Sequence, residues 1–164
     1  MILVVADTAP LCYLVQIGYE GLLPQLFGNI LIPSVVVQEL RQKGTPGIVS
    51  RWADQLPSWI EVRKIAHAPT ERERTGLDLG EWEAIQLAKE TNANLLLMDE
   101  RFGVRVARQQ GFTVTGTLGV LVEAARSGLI SIDEALARLA KTNFRRTGEL
   151  FAHARHLVDK SGKR

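Results

Sequence analysis

The sequence of 164 residues has almost no cysteine and no long apolar run. Cys12 is its single cysteine, so no disulfide can form within the chain, which agrees with a reducing compartment. No apolar run approaches the roughly 20 residues that a membrane span needs, and the opening MILVVAD lacks the basic lead of a signal peptide. We therefore expect a cytoplasmic protein with no membrane partner.

Several ligand-binding motifs are also missing. Neither G-x-G-x-x-G nor G-x-x-x-x-G-K-[ST] occurs, which argues against a nucleotide cofactor. A phosphorylation receiver domain also gathers acids at strand ends, but no lysine follows a late strand where it would meet a phosphoryl group. His153 and His156 have a spacing that can hold zinc on a helix, yet no further ligands accompany them.

The size and composition indicate one globular domain. The chain is 46% hydrophobic and 23% charged, within the range of folded proteins. The net charge of +2 hides an asymmetry, because residues 141–164 contain seven Lys or Arg against two acids, which leaves a charge of −3 for residues 1–140. Such a basic segment suggests a polyanion or an acidic partner, or else a solvated terminus.

Short apolar runs alternate with longer helical patterns along the chain. Strands are predicted at ILVVA (2–6), NILIP (29–33), LLLM (95–98) and FTVTG (112–116), and less strongly at WIEVRKI (59–65). The segments between them have helical patterns, including SVVVQELRQKG, in which we expect Ser34 as N-cap and Gly44 as the stop. This order predicts an α/β fold, a parallel sheet with helices on both faces.

Four acids belong to segments that a parallel sheet would bring to one edge. Ligands of open parallel sheets lie beyond the carboxyl ends of the strands. Asp7 follows the first strand and Asp99 the fourth, Glu39 lies in the helix after the second, and Glu81 lies in the first turn of the helix before LLLM. Each also has a structural interpretation, as a helix cap, a solvent-facing residue or, for Glu81 with Asp78, a capping box.

Together the four acids indicate a metal site. Carboxylates within about 4 to 6 Å of one another repel and raise their own pKa values unless a cation joins them. Oxygen ligands without Cys or His suit Mg²⁺ or Mn²⁺. An ion of this kind can lower the pKa of bound water and neutralise charge on a phosphodiester.

The motifs resemble those of the PIN-domain ribonucleases, including the VapC-like toxins of toxin–antitoxin pairs. The resemblance covers about residues 1–125, through VVADTAPL, IPSVVVQEL, LGEWEAIQLA and NANLLLMDERFG, and VTGTLGVLVEAARSGLI is similar to an uncharacterised prokaryotic PIN subfamily. It implies a three-layer α/β/α fold with a central parallel sheet. It also implies a Mg²⁺- or Mn²⁺-dependent endoribonuclease, the toxin of such a pair; the alternative is a non-catalytic PIN-like module that binds RNA or protein.

The resemblance also assigns residues. It makes Asp7, Glu39, Glu81 and Asp99 the metal-binding and catalytic acids. Thr8 is the hydroxyl beside the first of them, and we expect it to bind substrate together with Arg101 and Arg105. Many relatives have Asp where this chain has Glu81, and the nearby acids that could support the set are Asp78, Glu83 and Glu100.

The remaining expectations concern organisation and partners. We expect one PIN-like domain over residues 1–164, with about 130–164 as a C-terminal helical extension. Homodimers and a small antitoxin partner are implied by the resemblance. Arg101, Arg105 and Arg108 fall on one face of a helix that extends away from the proposed site. This face either holds an RNA backbone or is an ordinary solvated surface.

Overall fold

The computed structural model of the chain describes residues 2–145 and 147–161, which form five strands and ten helices. In chain order the elements are β1 (Val4–Ala6), α1 (Thr8–Gln16), α2 (Leu22–Phe27), β2 (Ile30–Pro33), α3 (Ser34–Leu40), α4 (Gly47–Asp54), β3 (Ile60–Arg63), α5 (Glu71–Arg74), α6 (Leu79–Thr91), β4 (Leu95–Leu97), α7 (Arg101–Gln109), β5 (Val114–Thr115), α8 (Thr117–Arg126), α9 (Ile132–Leu139) and α10 (Gly148–Ser161).

The five strands form one parallel sheet in the order β3-β2-β1-β4-β5. Strand β1 lies at its centre, where Val5 pairs with Leu31 of β2 and with Leu96 of β4. All carboxyl ends of the strands therefore meet at one edge. The predicted α/β class and the central parallel sheet are confirmed.

The two faces of the sheet bury different side chains, because successive residues of a strand point to opposite sides. Val4, Ala6 and Leu97 belong to the larger core, which also contains buried residues of α1, α2, α3, α4, α8, α9 and α10. Val5 and Leu96 belong to the smaller core with α6 and α7. Helices thus cover both faces, and the three-layer α/β/α prediction is confirmed.

Some local predictions were wrong. Ser34 is the first residue of α3 rather than its N-cap; the N-cap is Pro33, whose extended backbone (φ −67°, ψ 152°) also ends β2. The strand therefore runs directly into the helix and leaves no separate capping residue. Helix α3 ends at Leu40, well before Gly44, which instead takes a positive φ of 96° in the following turn.

The C-terminal helices pack on the larger core. Ile132 and Leu136 of α9 and Phe151 and Ala154 of α10 are buried in the same cluster as the strand residues. The division into one domain over 1–164 with an extension from about 130 stays a prediction, and positions 1, 146 and 162–164 lie outside the described residues. Within the described ranges, no helix is both long and apolar enough to cross a bilayer.

Candidate active site at the carboxyl edge of the sheet

Asp7 lies at the end of β1 and is deeply buried. Its backbone (φ −85°, ψ 174°) begins α1, but its side chain makes no capping hydrogen bond. The side chain is 5% exposed, and its Oδ1 atom is buried with no hydrogen-bond partner among the described residues. Burial raises the pKa of Asp7 well above its ordinary value, and the charges of Asp78, Glu39 and Glu81 raise it further. The capping interpretation of Asp7 therefore does not account for its side chain.

Glu39 approaches the same place from α3. Its carboxylate accepts a hydrogen bond from the hydroxyl of Thr8, the residue after Asp7. A Cβ atom on Gly80 would lie only 2.4 Å from Oε1 of Glu39, so glycine in the first turn of α6 leaves the space that this carboxylate occupies. Burial and the charge of Asp78 raise the pKa of Glu39. Glu39 is thus turned into the cluster rather than out to solvent.

Glu81 is both a capping residue and a member of the acidic cluster. Oδ1 of Asp78 accepts a hydrogen bond from the backbone N–H of Glu81 (2.8 Å), and Oε2 of Glu81 accepts one from the N–H of Asp78 (3.1 Å). This is the capping box that the spacing predicts. Glu81 is 5% exposed, and burial, followed by the charges of Asp78, Glu100 and Glu39, raises its pKa to about 7.

Asp99 lies on the other side of the sheet edge. Two residues beyond Leu97, it continues the face that the larger core covers, whereas Asp7 continues the face of Val5 and α6. Its Oδ1 accepts a hydrogen bond from the backbone N–H of Thr117 (2.7 Å), and its Oδ2 accepts one from the Thr117 hydroxyl (2.6 Å). Burial raises the pKa of Asp99, and these two hydrogen bonds oppose the rise.

The three further acids have different surroundings. Glu100 caps α7, since its Oε2 accepts hydrogen bonds from the N–H groups of Phe102 (2.8 Å) and Gly103 (3.2 Å). Glu83 is buried on α6, and its pKa is raised by burial and by the charge of Glu39. Asp78 is exposed at the mouth of the cluster and acts electrostatically on Asp7, Glu39 and Glu81.

The donor set suits a divalent cation, although no ready-made cage is present. In the described part of the chain, no three His, Cys, Asp or Glu side chains are grouped as ligands of one ion. Glu39 and Asp99 are instead held by hydroxyl and N–H donors. The unpartnered Oδ1 of Asp7, surrounded by carboxyl groups of raised pKa, fits Mg²⁺ or Mn²⁺, which bind oxygen ligands.

Beside Asp99, an open groove of about 650 Å³ follows α7. Arg101, Arg105 and Arg108 line it, and none of the three has an ion-pair partner among the described residues. Helix α7 contains no acid. The groove is therefore basic along one side. Of the basic C-terminal segment, Arg145 is exposed, and Arg146, Lys163 and Arg164 lie outside the described residues.

Sequence reasoning missed the residues that hold the acids in place. Gly80 admits Glu39, and Thr117 binds both oxygens of Asp99. Gly116 and Thr117 directly follow β5, so the rule that pointed to Asp7 and Asp99, polarity at a strand end, also applies to them. Neither residue is acidic, however, so a search for carboxylates at strand ends does not find them.

Comparison with known proteins agrees with this architecture. The family model described as a PIN domain matches residues 3–160, nearly the whole chain. No curated protein and no solved structure matches the chain significantly. The chain belongs to the PIN domain family, whose members are generally nucleases.

Proposed function

We propose that the protein is a metal-dependent endoribonuclease that hydrolyses RNA phosphodiester bonds. The observation that carries the proposal is the buried, unpartnered Oδ1 of Asp7 amid other acids. A buried carboxylate oxygen without a hydrogen-bond partner is costly unless a proton or a cation compensates the charge. An ion held at the carboxyl edge of the sheet would compensate it, in the place where parallel sheets bind their ligands.

Asp7, Glu39, Glu81 and Asp99 are the proposed ligands of Mg²⁺ or Mn²⁺ and the catalytic acids. When bound, such an ion supplies an activated water and neutralises charge on the phosphodiester. The hydroxyl of Thr8 fixes the orientation of Glu39. The capping box fixes Glu81, whose pKa of about 7 allows it to hold or release a proton near neutral pH.

The substrate is proposed to enter along α7. Arg101 and Arg105 line the groove beside Asp99 without ion-pair partners. Guanidinium groups bind phosphate oxygens with two hydrogen bonds at once, and phosphate contacts supply most sequence-independent affinity for nucleic acids. These two residues would therefore hold the RNA backbone next to the acids.

The biological role that we propose is that of a VapC-like toxin in the cytoplasm. A small antitoxin protein would neutralise it, and the protein itself would form a homodimer. The family membership and the resemblance of its motifs support this role. Induced expression of the wild type should arrest bacterial growth and that of Asp99→Asn should not; equal growth of the two strains would remove the toxin assignment.

A second candidate is a PIN-like module that binds RNA or protein without cutting it. The lack of a ready-made group of three ligands among the described residues favours this alternative. Purified protein, Mn²⁺ and single-stranded RNA distinguish the two. Cleavage that EDTA and Asp99→Asn both abolish supports the nuclease, whereas RNA binding without cleavage supports the module. Asp133→Asn is the matched control, since Asp133 is exposed on α9.

A further inference from the structure

Asp99 and Thr117 are joined by two hydrogen bonds. Thr117 is fully buried at the first position of α8, and its two donors go to different oxygens of one carboxylate. Two hydrogen bonds from one rigid residue restrict both side-chain torsions of Asp99. The preceding residue completes this contact, because a Cβ atom on Gly116 would lie 2.5 Å from Oδ1 of Asp99.

We propose that Thr117 is the positioning residue of Asp99, holding this carboxylate at the edge of the sheet in the orientation that ion binding and RNA cleavage require. The inference rests on the proposed function and adds a residue to it. Asp99 lies on the α8 side, apart from the cluster on the α6 side. The contacts within that cluster therefore do not orient it, and Thr117 does.

A purely structural explanation is that Asp99 caps the N-terminus of α8. Gly116, the N-cap residue, has no side chain to do so, and Asp99 accepts the N–H of Thr117. Capping would need only this one acceptor. The second hydrogen bond, from the buried hydroxyl to the other oxygen, satisfies no helical N–H group, so it points to orientation of the carboxylate itself.

The test separates the two hydrogen bonds. Thr117→Val keeps the shape of the side chain and the backbone N–H but removes the hydroxyl, whereas Thr117→Ser retains the hydroxyl. Gly116→Ala keeps both donors but places a methyl group against Oδ1, and its backbone (φ −103°, ψ −171°) is open to alanine. The matched controls are Thr91→Val and Gly21→Ala. The hydroxyl of Thr91 donates a hydrogen bond to the carbonyl of Leu87 at the far end of α6, and a Cβ atom on Gly21 would lie in open space.

Mn²⁺ affinity is measured by calorimetry without RNA, beside kcat and KM for RNA cleavage and the melting temperature in EDTA. We expect Thr117→Val and Gly116→Ala to weaken Mn²⁺ binding about tenfold or more and to lower kcat, as for other residues that orient metal ligands. Thr117→Ser and both controls should match the wild type. Because Gly116→Ala leaves every hydrogen-bond donor in place, it carries the test if Thr117→Val does not fold.

The outcomes distinguish the inference from the function on which it rests. If the wild type binds Mn²⁺ and cleaves RNA but the folded Thr117→Val and Gly116→Ala proteins do so equally well, Thr117 is only a structural residue and the inference is overturned. The inference is also overturned if these two variants melt at a lower temperature than the wild type but bind Mn²⁺ with unchanged affinity. If the wild type neither binds Mn²⁺ nor cleaves RNA, the proposed function fails and the inference falls with it.

Discussion

At the scale of single residues, the site is defined by carboxyl groups that have lost water without gaining a positive partner. Asp7 and Glu81 are each 5% exposed, and the charged groups that act on them are other acids. Removal of a carboxylate from water favours its protonated form, and nearby negative charge does so further. Protons and divalent cations should therefore compete for this cluster, which makes its stability dependent on both.

The first prediction concerns pH. Because the pKa of Glu81 in the folded protein is about 7, above its ordinary 4.5, the native state binds a proton that the unfolded state releases between these values. Its contribution to stability is thus present below about pH 4.5 and lost as the pH rises through 7. The raised pKa values of Asp7, Glu39 and Asp99 act in the same direction.

We expect the free energy of unfolding of the metal-free protein to fall by roughly 2 kcal/mol between pH 5 and pH 8. Urea unfolding in EDTA across this range measures it. Glu81→Gln should flatten the fall, since Gln keeps the capping box but cannot ionise. Glu90→Gln, exposed on the same helix, is the control. A free energy that rises with pH would contradict the account.

The second prediction separates helix stability from the site. In Gly80→Ala, the new methyl group occupies the place of the Glu39 carboxylate, which can move away because it ends a flexible side chain. Alanine is the better helix former by about 1 kcal/mol. Melting temperature should therefore stay equal or rise while Mn²⁺ affinity falls. Unchanged Mn²⁺ affinity in calorimetry would show that Glu39 takes no part in the ion site.

Sequence could predict some residue roles and not others. The Asp78 and Glu81 spacing was sufficient for the capping box, because that motif lies within one turn of chain. The contact between Asp99 and Thr117 joins residues 18 positions apart, and it depends on β4 and β5 being neighbours. Local sequence patterns do not show which strands are neighbours, so they could not predict this contact.

At the scale of elements, sheet register decides which acids meet. Val5 of β1 pairs with Leu96 of β4, so Asp7 and Asp99 end their strands on opposite faces. Helix α6 places Glu81 near Asp7, and α8 places Thr117 against Asp99. The acid site therefore straddles the edge of the sheet rather than lying on one face.

The third prediction concerns α7. Arg101→Gln with Arg105→Gln removes two unpaired charges from the groove. RNA affinity should fall for all sequences alike, and the slope of log affinity against log salt should become shallower by roughly 1 to 2. Filter binding in an Asp99→Asn background, which we expect not to cleave the RNA, measures both. The control Arg155→Gln lies on α10, where Arg155 pairs with Asp133, and should leave the slope unchanged.

The sequence predicted the strands because short apolar runs between helical patterns are typical of buried strands. The observed strands are shorter than predicted, with two to four residues each. Helices α2 and α4 were missed. Pro24 lies in the first turn of α2, and Pro46 is the N-cap residue of α4, directly before Gly47. A proline in the first turn of a helix is tolerated there, because its missing N–H would have no helical partner.

At the scale of the whole molecule, the C-terminal helices contribute to the same core as the sheet. The fourth prediction follows from Phe151, which is 7% exposed in that core, whereas its neighbour Leu150 is 42% exposed. Phe151→Ala should lower the free energy of unfolding by about 3 kcal/mol, and Leu150→Ala should change it little. Urea unfolding of both variants checks this. Equal effects would mean that α10 is not part of the core.

The most direct test of the account is thermal unfolding of the wild type and Asp7→Asn at pH 8, with and without Mn²⁺. We propose that the buried Asp7 carboxylate, whose Oδ1 has no hydrogen-bond partner, binds a cation. Asp7→Asn should therefore melt at a higher temperature than the wild type in EDTA, and Mn²⁺ should stabilise only the wild type. If Mn²⁺ stabilises both proteins equally, or neither, Asp7 does not hold an ion and the central claim is wrong.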